Sequence, residues 1–130
     1  MALIKARTEA ASGLLPPLCR EIIKRMDKIA ALTEILTLDP TNAFARYGLA
    51  MEYASQGSVE TSLQEFQRLL SDHPDYTAGY FMAAQTLAKA GRTDEAKAKL
   101  TQGIASAQRT GNQHALSEMQ AMLDDLDLAG

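Results

Sequence analysis

The chain has 130 residues and a formal charge of −3, with 46% hydrophobic and 22% charged side chains, which suits one compact unit with its own core. Its apolar content is 22 Ala and 17 Leu against six Ile and one Val, with three Phe, four Tyr and no Trp, a balance that favours helices over strands. No stretch approaches the roughly 18 apolar residues of a membrane span, the N-terminus lacks the plan of a secretory signal, and a lone cysteine, Cys19, leaves no intramolecular disulfide, so an all-α, soluble and cytoplasmic protein is expected.

Residues 1–25 differ in charge from the rest. They carry Lys5, Arg7, Arg20, Lys24 and Arg25 against Glu9 and Glu21, which makes this segment basic and leaves residues 26–130 acidic. It reads as a basic amphipathic arm or extra helix. Across residues 14–29, Leu14, Leu15, Leu18, Ile22, Ile23, Met26 and Ile29 fall largely at helical spacing after a Pro-Pro start, with Arg20, Lys24 and Arg25 on the other side. An apolar strip of that size calls for a cover, and either self-capping or a homodimer through residues 14–29 is expected.

Beyond the arm, residues 26–40 supply one helix ending before Pro40. Thr41 or Asn42 then caps a helix to about Gln56, and Gly57 stops it. Ser58 opens a helix carrying Val59, Leu63, Phe66, Leu69 and Leu70, which stops near Asp72. Asp75 is the expected cap of the next, which runs to Ala90 before Gly91. Thr93, Asp94 and Glu95 open another, their acidic side chains suiting the positive end of the helix dipole. Gly111 and Asn112 precede a final helix to about Asp127, with Leu116, Met119, Met122, Leu123 and Leu126 at helical spacing.

These elements repeat. Pro40 and Pro74 are 34 residues apart, as are Gly57 and Gly91. The same offset of 34 pairs Tyr47 with Phe81, Ala50 with Ala84, Ser62 with Ala96 and Phe66 with Leu100, and reaches back to pair Leu32 with Phe66 and Ile35 with Leu69. Two full units, 41–74 and 75–108, thus follow a half unit at 26–40, and a closing helix at 111–128 follows them.

This pattern resembles the tetratricopeptide repeat family, whose unit is a helix–turn–helix of about 34 residues. The first unit carries the resemblance in Leu49-Ala50, Tyr53, Gly57, Ser62, Phe66 and Pro74, and the second in Tyr80, Ala83-Ala84, Leu87, Gly91, Ala96 and Leu100. Three positions depart from it. Arg46 stands where the family has a large aromatic residue, Leu69 replaces a small one, and Gln108 takes the place of the closing proline. The resemblance implies a short right-handed solenoid with a capping helix at its C-terminal end.

It also implies where a partner would lie, since the first helix of each pair in this family lines a concave groove. By spacing, the groove residues are Phe44, Tyr47, Met51 and Ser55 from the first unit and Ala78, Phe81, Gln85 and Lys89 from the second. Chaperone-binding members of the family clamp a C-terminal carboxylate with Lys and Asn. Tyr47 and Met51 stand at two of those places, so that clamp is missing and the groove suits a peptide or amphipathic helix of a partner protein. Three readings follow: an interaction scaffold, a chaperone-like adaptor for an aggregation-prone or secreted client, and a structural homo-oligomer whose groove its own arm fills.

Other chemistry is weakly signalled. His73-Pro74-Asp75 matches the tripeptide of J-domain co-chaperones, but Pro74 falls on the repeat period and the loop reads as structural. No nucleophile elbow, phosphate-cradling glycine loop or metal-ligand spacing occurs, so no enzyme, cofactor or metal site is expected. The acidic body argues against nucleic acid, and no membrane association is expected. All seven aromatic residues (Phe44, Tyr47, Tyr53, Phe66, Tyr76, Tyr80 and Phe81) fall between positions 44 and 81, with Tyr53, Phe66 and Tyr80 expected between helices and Phe44, Tyr47 and Phe81 on the concave surface.

Overall fold

Glycines set the length of the repeated helices. Gly57 and Gly91 adopt positive φ angles of 81° and 78°, so each ends its helix in a left-handed turn that other residues enter only with strain. The computed structural model describes residues 16–129, which form six helices: α1 (Pro17–Leu38), α2 (Ala43–Ser55), α3 (Val59–Asp72), α4 (Thr77–Lys89), α5 (Thr93–Thr110) and α6 (Gln113–Ala129). The N-terminal part of the basic arm, including Leu14 and Leu15, lies outside the described residues.

Each helix packs on the next in the chain, and α2, α4 and α6 also touch in turn, forming an inner layer. Stacked helix pairs of this kind make a solenoid. Close approach rests on Ala50, Ser62, Ala84 and Ala96, all of which are fully buried. Phe66 and Leu100, 34 residues apart, fill the space between layers at 1% and 0% exposure. The Ser62 hydroxyl donates to the Ala50 carbonyl at 2.8 Å, which satisfies a buried hydroxyl and ties α3 to α2.

Two of the departures from the family pattern belong together. In the second unit Tyr80 is buried, and a Cβ added to Gly103 would lie 2.7 Å from the Tyr80 Cβ and 2.5 Å from the Met119 sulfur. In the first unit the sizes are reversed, with Arg46 at the aromatic position and Leu69 where the second unit has Gly103. Leu69 is fully buried, and Gly79 makes room for it, since a Cβ there would lie 3.1 Å from a Leu69 methyl. Arg46 turns aside: Nη1 donates to Glu65 at 2.7 Å and Nη2 donates to the Pro40 carbonyl at 2.9 Å.

The local structure corrects several expectations. Residues 17–38 are one continuous helix, so no break separates the described part of the arm from the half unit at 26–40. Asp75 does not cap α4; Tyr76 holds the N-cap position without a side-chain bond, and the Asp75 carboxylate instead accepts from Arg109 Nε at 2.9 Å. Ser58 holds its N-cap position with no side-chain bond, whereas Asn42 caps α2 by accepting from the Ala45 amide at 2.8 Å. With Gln108 in place of proline, α5 runs past the end of the unit to Thr110 before the left-handed Gly111, and Asn112 then caps α6.

The stacking slots predict their own failure. Ala84→Leu or Ala96→Leu is expected to cost about 1–3 kcal/mol through overpacking, seen as a lowered melting temperature by circular dichroism. Arg46→Ala strands the Glu65 carboxylate, whose side chain is 14% exposed. It should destabilise more than the paired Arg46→Met/Glu65→Leu variant in urea titration, because that variant removes both charges together.

Candidate partner-binding groove

In the inner layer, α2 carries Phe44, Tyr47, Met51 and Ser55 and α4 carries Ala78, Phe81, Gln85 and Lys89, and their burial ranges from half-buried to exposed. Met51 and Ser55 of α2 and Met82, Thr86 and Lys89 of α4 line a cleft of about 310 Å³. Lys89 is the one charged side chain lining it, and among the described residues it makes no ion pair. The cleft therefore offers two flexible, polarisable thioethers and a cation at its rim.

Tyr47 and Phe81 are half-buried and belong partly to the core. The Tyr47 ring meets Phe66 edge-on at a centroid distance of 6.4 Å and Tyr76 at 5.4 Å. Burial raises its phenol above the ordinary tyrosine value, and the neighbouring Tyr76 adds to this. Phe81 packs against the cluster of Ala84, Leu100, Ala107 and Met119, beside the face of α6 carrying Leu116 and Met122. Phe44, by contrast, is 76% exposed. Ala78 is exposed and Gln85 half-buried.

Sequence spacing missed three residues here. Met82 and Thr86 share the Lys89 stripe of α4 at helical intervals, so their periodicity carried the signal. Tyr76 precedes α4 and is brought onto Tyr47 only by the fold.

The remaining candidates are engaged in structure. His73 donates from Nε2 to the Thr41 carbonyl at 2.7 Å, and the Tyr80 hydroxyl donates to the Pro74 carbonyl at 2.8 Å. With Asp75 on Arg109, the His-Pro-Asp loop is bonded internally at all three residues. The hollow of about 570 Å³ along α3 and α5 is lined by Glu60, Gln64, Arg92, Glu95 and Lys99 among others, and Arg92 pairs with both Glu60 and Glu95. A side-chain hydrogen bond from Arg92 lowers the Glu95 carboxyl below its usual value. Among the described residues no group of three His, Cys, Asp or Glu side chains is placed to hold a metal, and no helix is long and apolar enough to cross a membrane.

Stacked helix pairs whose first members form an inner layer define the chain as a helical-repeat protein. The tetratricopeptide repeat model matches residues 53–123, and a TPR repeat-containing protein of Pseudomonas aeruginosa is 32% identical over 101 residues, covering 78% of this chain and 96% of that protein. The chain belongs to the tetratricopeptide repeat family. In fold it is similar to Pseudomonas aeruginosa PcrH, solved in complex with the chaperone binding region of PopD, with a TM-score of 0.75, 18% identity and coverage of 99% of this chain and 95% of that one. It is also similar to the Yersinia enterocolitica type III secretion chaperone SycD in complex with a peptide of the translocator YopD, with a TM-score of 0.73, 17% identity and coverage of 85% of each chain.

The division between core and surface is measurable. Tyr47→Ala is expected to cost about 2–4 kcal/mol, as do other losses of a packed aromatic ring, whereas Phe44→Ala should stay within about 0.5 kcal/mol of the parent. Chemical denaturation of the two variants compares them directly.

Proposed function

We propose that this protein is an interaction scaffold that holds a peptide or amphipathic helix of a partner protein along its inner layer, between α2 and α4. The observation carrying the reading is the cleft that Met51 and Ser55 of α2 line together with Met82, Thr86 and Lys89 of α4. Thioether side chains adapt to apolar residues of varied shape, and the cation at the rim favours an acidic residue flanking them. The proposed groove comprises Phe44, Tyr47, Met51, Ser55, Ala78, Phe81, Gln85 and Lys89, of which Phe44, Ser55, Ala78 and Lys89 are exposed.

A chaperone-like adaptor is the second reading, supported by the likeness to PcrH, solved with the chaperone binding region of PopD, and to SycD, solved with a peptide of the translocator YopD. Such an adaptor would cover an apolar segment of its client before the client reaches its destination. Catalysis has no place in either reading.

Met51→Glu places a carboxylate at the half-buried cleft, and because Met51 also packs against the core of Ala50, Phe66, Leu69 and Ala83, circular dichroism of the variant checks that it remains folded. Fluorescence anisotropy against a library of amphipathic peptides is expected to select apolar sequences with acidic flanks. Met51→Glu should weaken the selected peptides at least about tenfold, or 1.4 kcal/mol, and Lys89→Ala should weaken only the acidic ones. Equal binding by parent and Met51→Glu would place the site elsewhere. Under the adaptor reading, coexpression with the client keeps it soluble with the parent and not with Met51→Glu.

A further inference from the structure

The outer side of α1 is unlike the same side of the helix one repeat later. An offset of 34 sets Met26, Ala30, Thr33 and Thr37 against Glu60, Gln64, Gln67 and Ser71 of α3. On α3 this side is polar and faces solvent, whereas on α1 it carries a 63%-exposed methionine and small neutral residues. Extended toward the N-terminus the stripe reads Cys19, Ile23, Met26, Ala30, Thr33, Thr37, with alternating steps of four and three, the spacing of a helix–helix seam. All six residues are exposed, and α1 packs on α2 through the adjoining side, about a quarter turn away, where Ile29, Leu32 and Leu36 lie.

The stripe is complementary to itself when reversed. Its large members, Ile23 and Met26, lie in the first half and its small ones, Ala30, Thr33 and Thr37, in the second. Charge is divided the same way. Residues 17–28 carry Arg20, Lys24, Arg25 and Lys28 against Glu21 and Asp27, whereas residues 29–39 carry only Glu34 and Asp39. A twofold interface requires that residue i meets j while j meets i, and this pattern meets that condition.

We infer that the outer face of α1 is the interface with a second copy of this chain, the two α1 helices running antiparallel about an axis near Lys28. In this register Met26 sits on Ala30 of the partner subunit, Ile23 on Thr33 of the partner subunit and Cys19 beside Thr37 of the partner subunit. Arg20 comes alongside Glu34 of the partner subunit. Asp27 meets its own symmetry mate near the axis, a repulsion that holds the affinity down. The interface uses a different face from the groove and stands or falls independently of the function proposed above.

Sedimentation equilibrium of the full chain is expected to give twice the 14.1 kDa monomer mass. Met26→Glu should give the monomer mass with unchanged helical circular dichroism, and Asp27→Asn should tighten the dimer several-fold. Mild oxidation of Thr37→Cys should yield a disulfide-linked dimer on a non-reducing gel, while the parent, with Cys19 alone, yields none. Within one helix those two positions are roughly 27 Å apart and cannot bridge. A parent protein that stays monomeric at its highest soluble concentration overturns the proposal. A parent that cross-links through Cys19 alone shows a parallel pair and overturns it too. Removal of residues 1–15 should leave the dimer intact; a dimer that forms only after that removal assigns the face to the chain's own N-terminal segment and overturns it.

Discussion

Close approach between neighbouring helices at a few small residues is the constraint on which the other features rest. Ala50 and Ser62 in one unit and Ala84 and Ala96 in the next have no exposed surface, and at the first pair the helices come near enough for the Ser62 hydroxyl to reach the Ala50 carbonyl. Because no single helix pair can bury its apolar face alone, every pair depends on its neighbour, and the 34-residue spacing keeps these slots in register. The inner layer follows from this. With the second helix of each pair drawn against the first, α2, α4 and α6 are left side by side, and the residues on their shared side become a surface.

That surface is partly core, and here the physics separates what periodicity reveals from what it hides. Helix ends at Gly57 and Gly91 were legible because a left-handed turn demands glycine, and the buried roles of Phe66 and Leu100 were legible because the period marks them. The contact of Tyr47 with Tyr76 was not legible, because that pairing joins a helix to a loop residue almost 30 positions away and depends on how the unit closes. Asp75 failed as a cap for a similar reason. An aspartate before a helix satisfies the local rule, yet a cation 34 residues on competes for its carboxylate, and local rules do not see Arg109.

The departures at Arg46 and Leu69 show compensation at a distance. Tyr80 is accommodated by Gly103, and Leu69 is accommodated by Gly79 of the following helix. Each large residue has a glycine opposite, but the glycine lies in the same unit in one case and the next unit in the other. Single positions compared with a family pattern look like defects. Paired across the interface, they conserve volume, as close packing requires.

The two ends of the solenoid then differ for one reason. At the C-terminal end α6 covers the last pair with Met119, itself fully buried, and turns Ser117, Glu118, Gln120 and Asp124 outward. At the N-terminal end no described helix covers α1 in this way. Ile35 is 41% exposed although its equivalent one repeat later, Leu69, is fully buried. The first part of α1 also reaches beyond α2, where Ile22 and Met26 border an open cleft with Arg25 and Gln56. In a nearest-neighbour array an end that lacks its outer interface has the least to hold it, so α1 is the element whose order most depends on something added from outside. A helix with a polar outer side would settle that by solvation, as α6 does. The neutral, self-complementary side of α1 is instead suited to being covered.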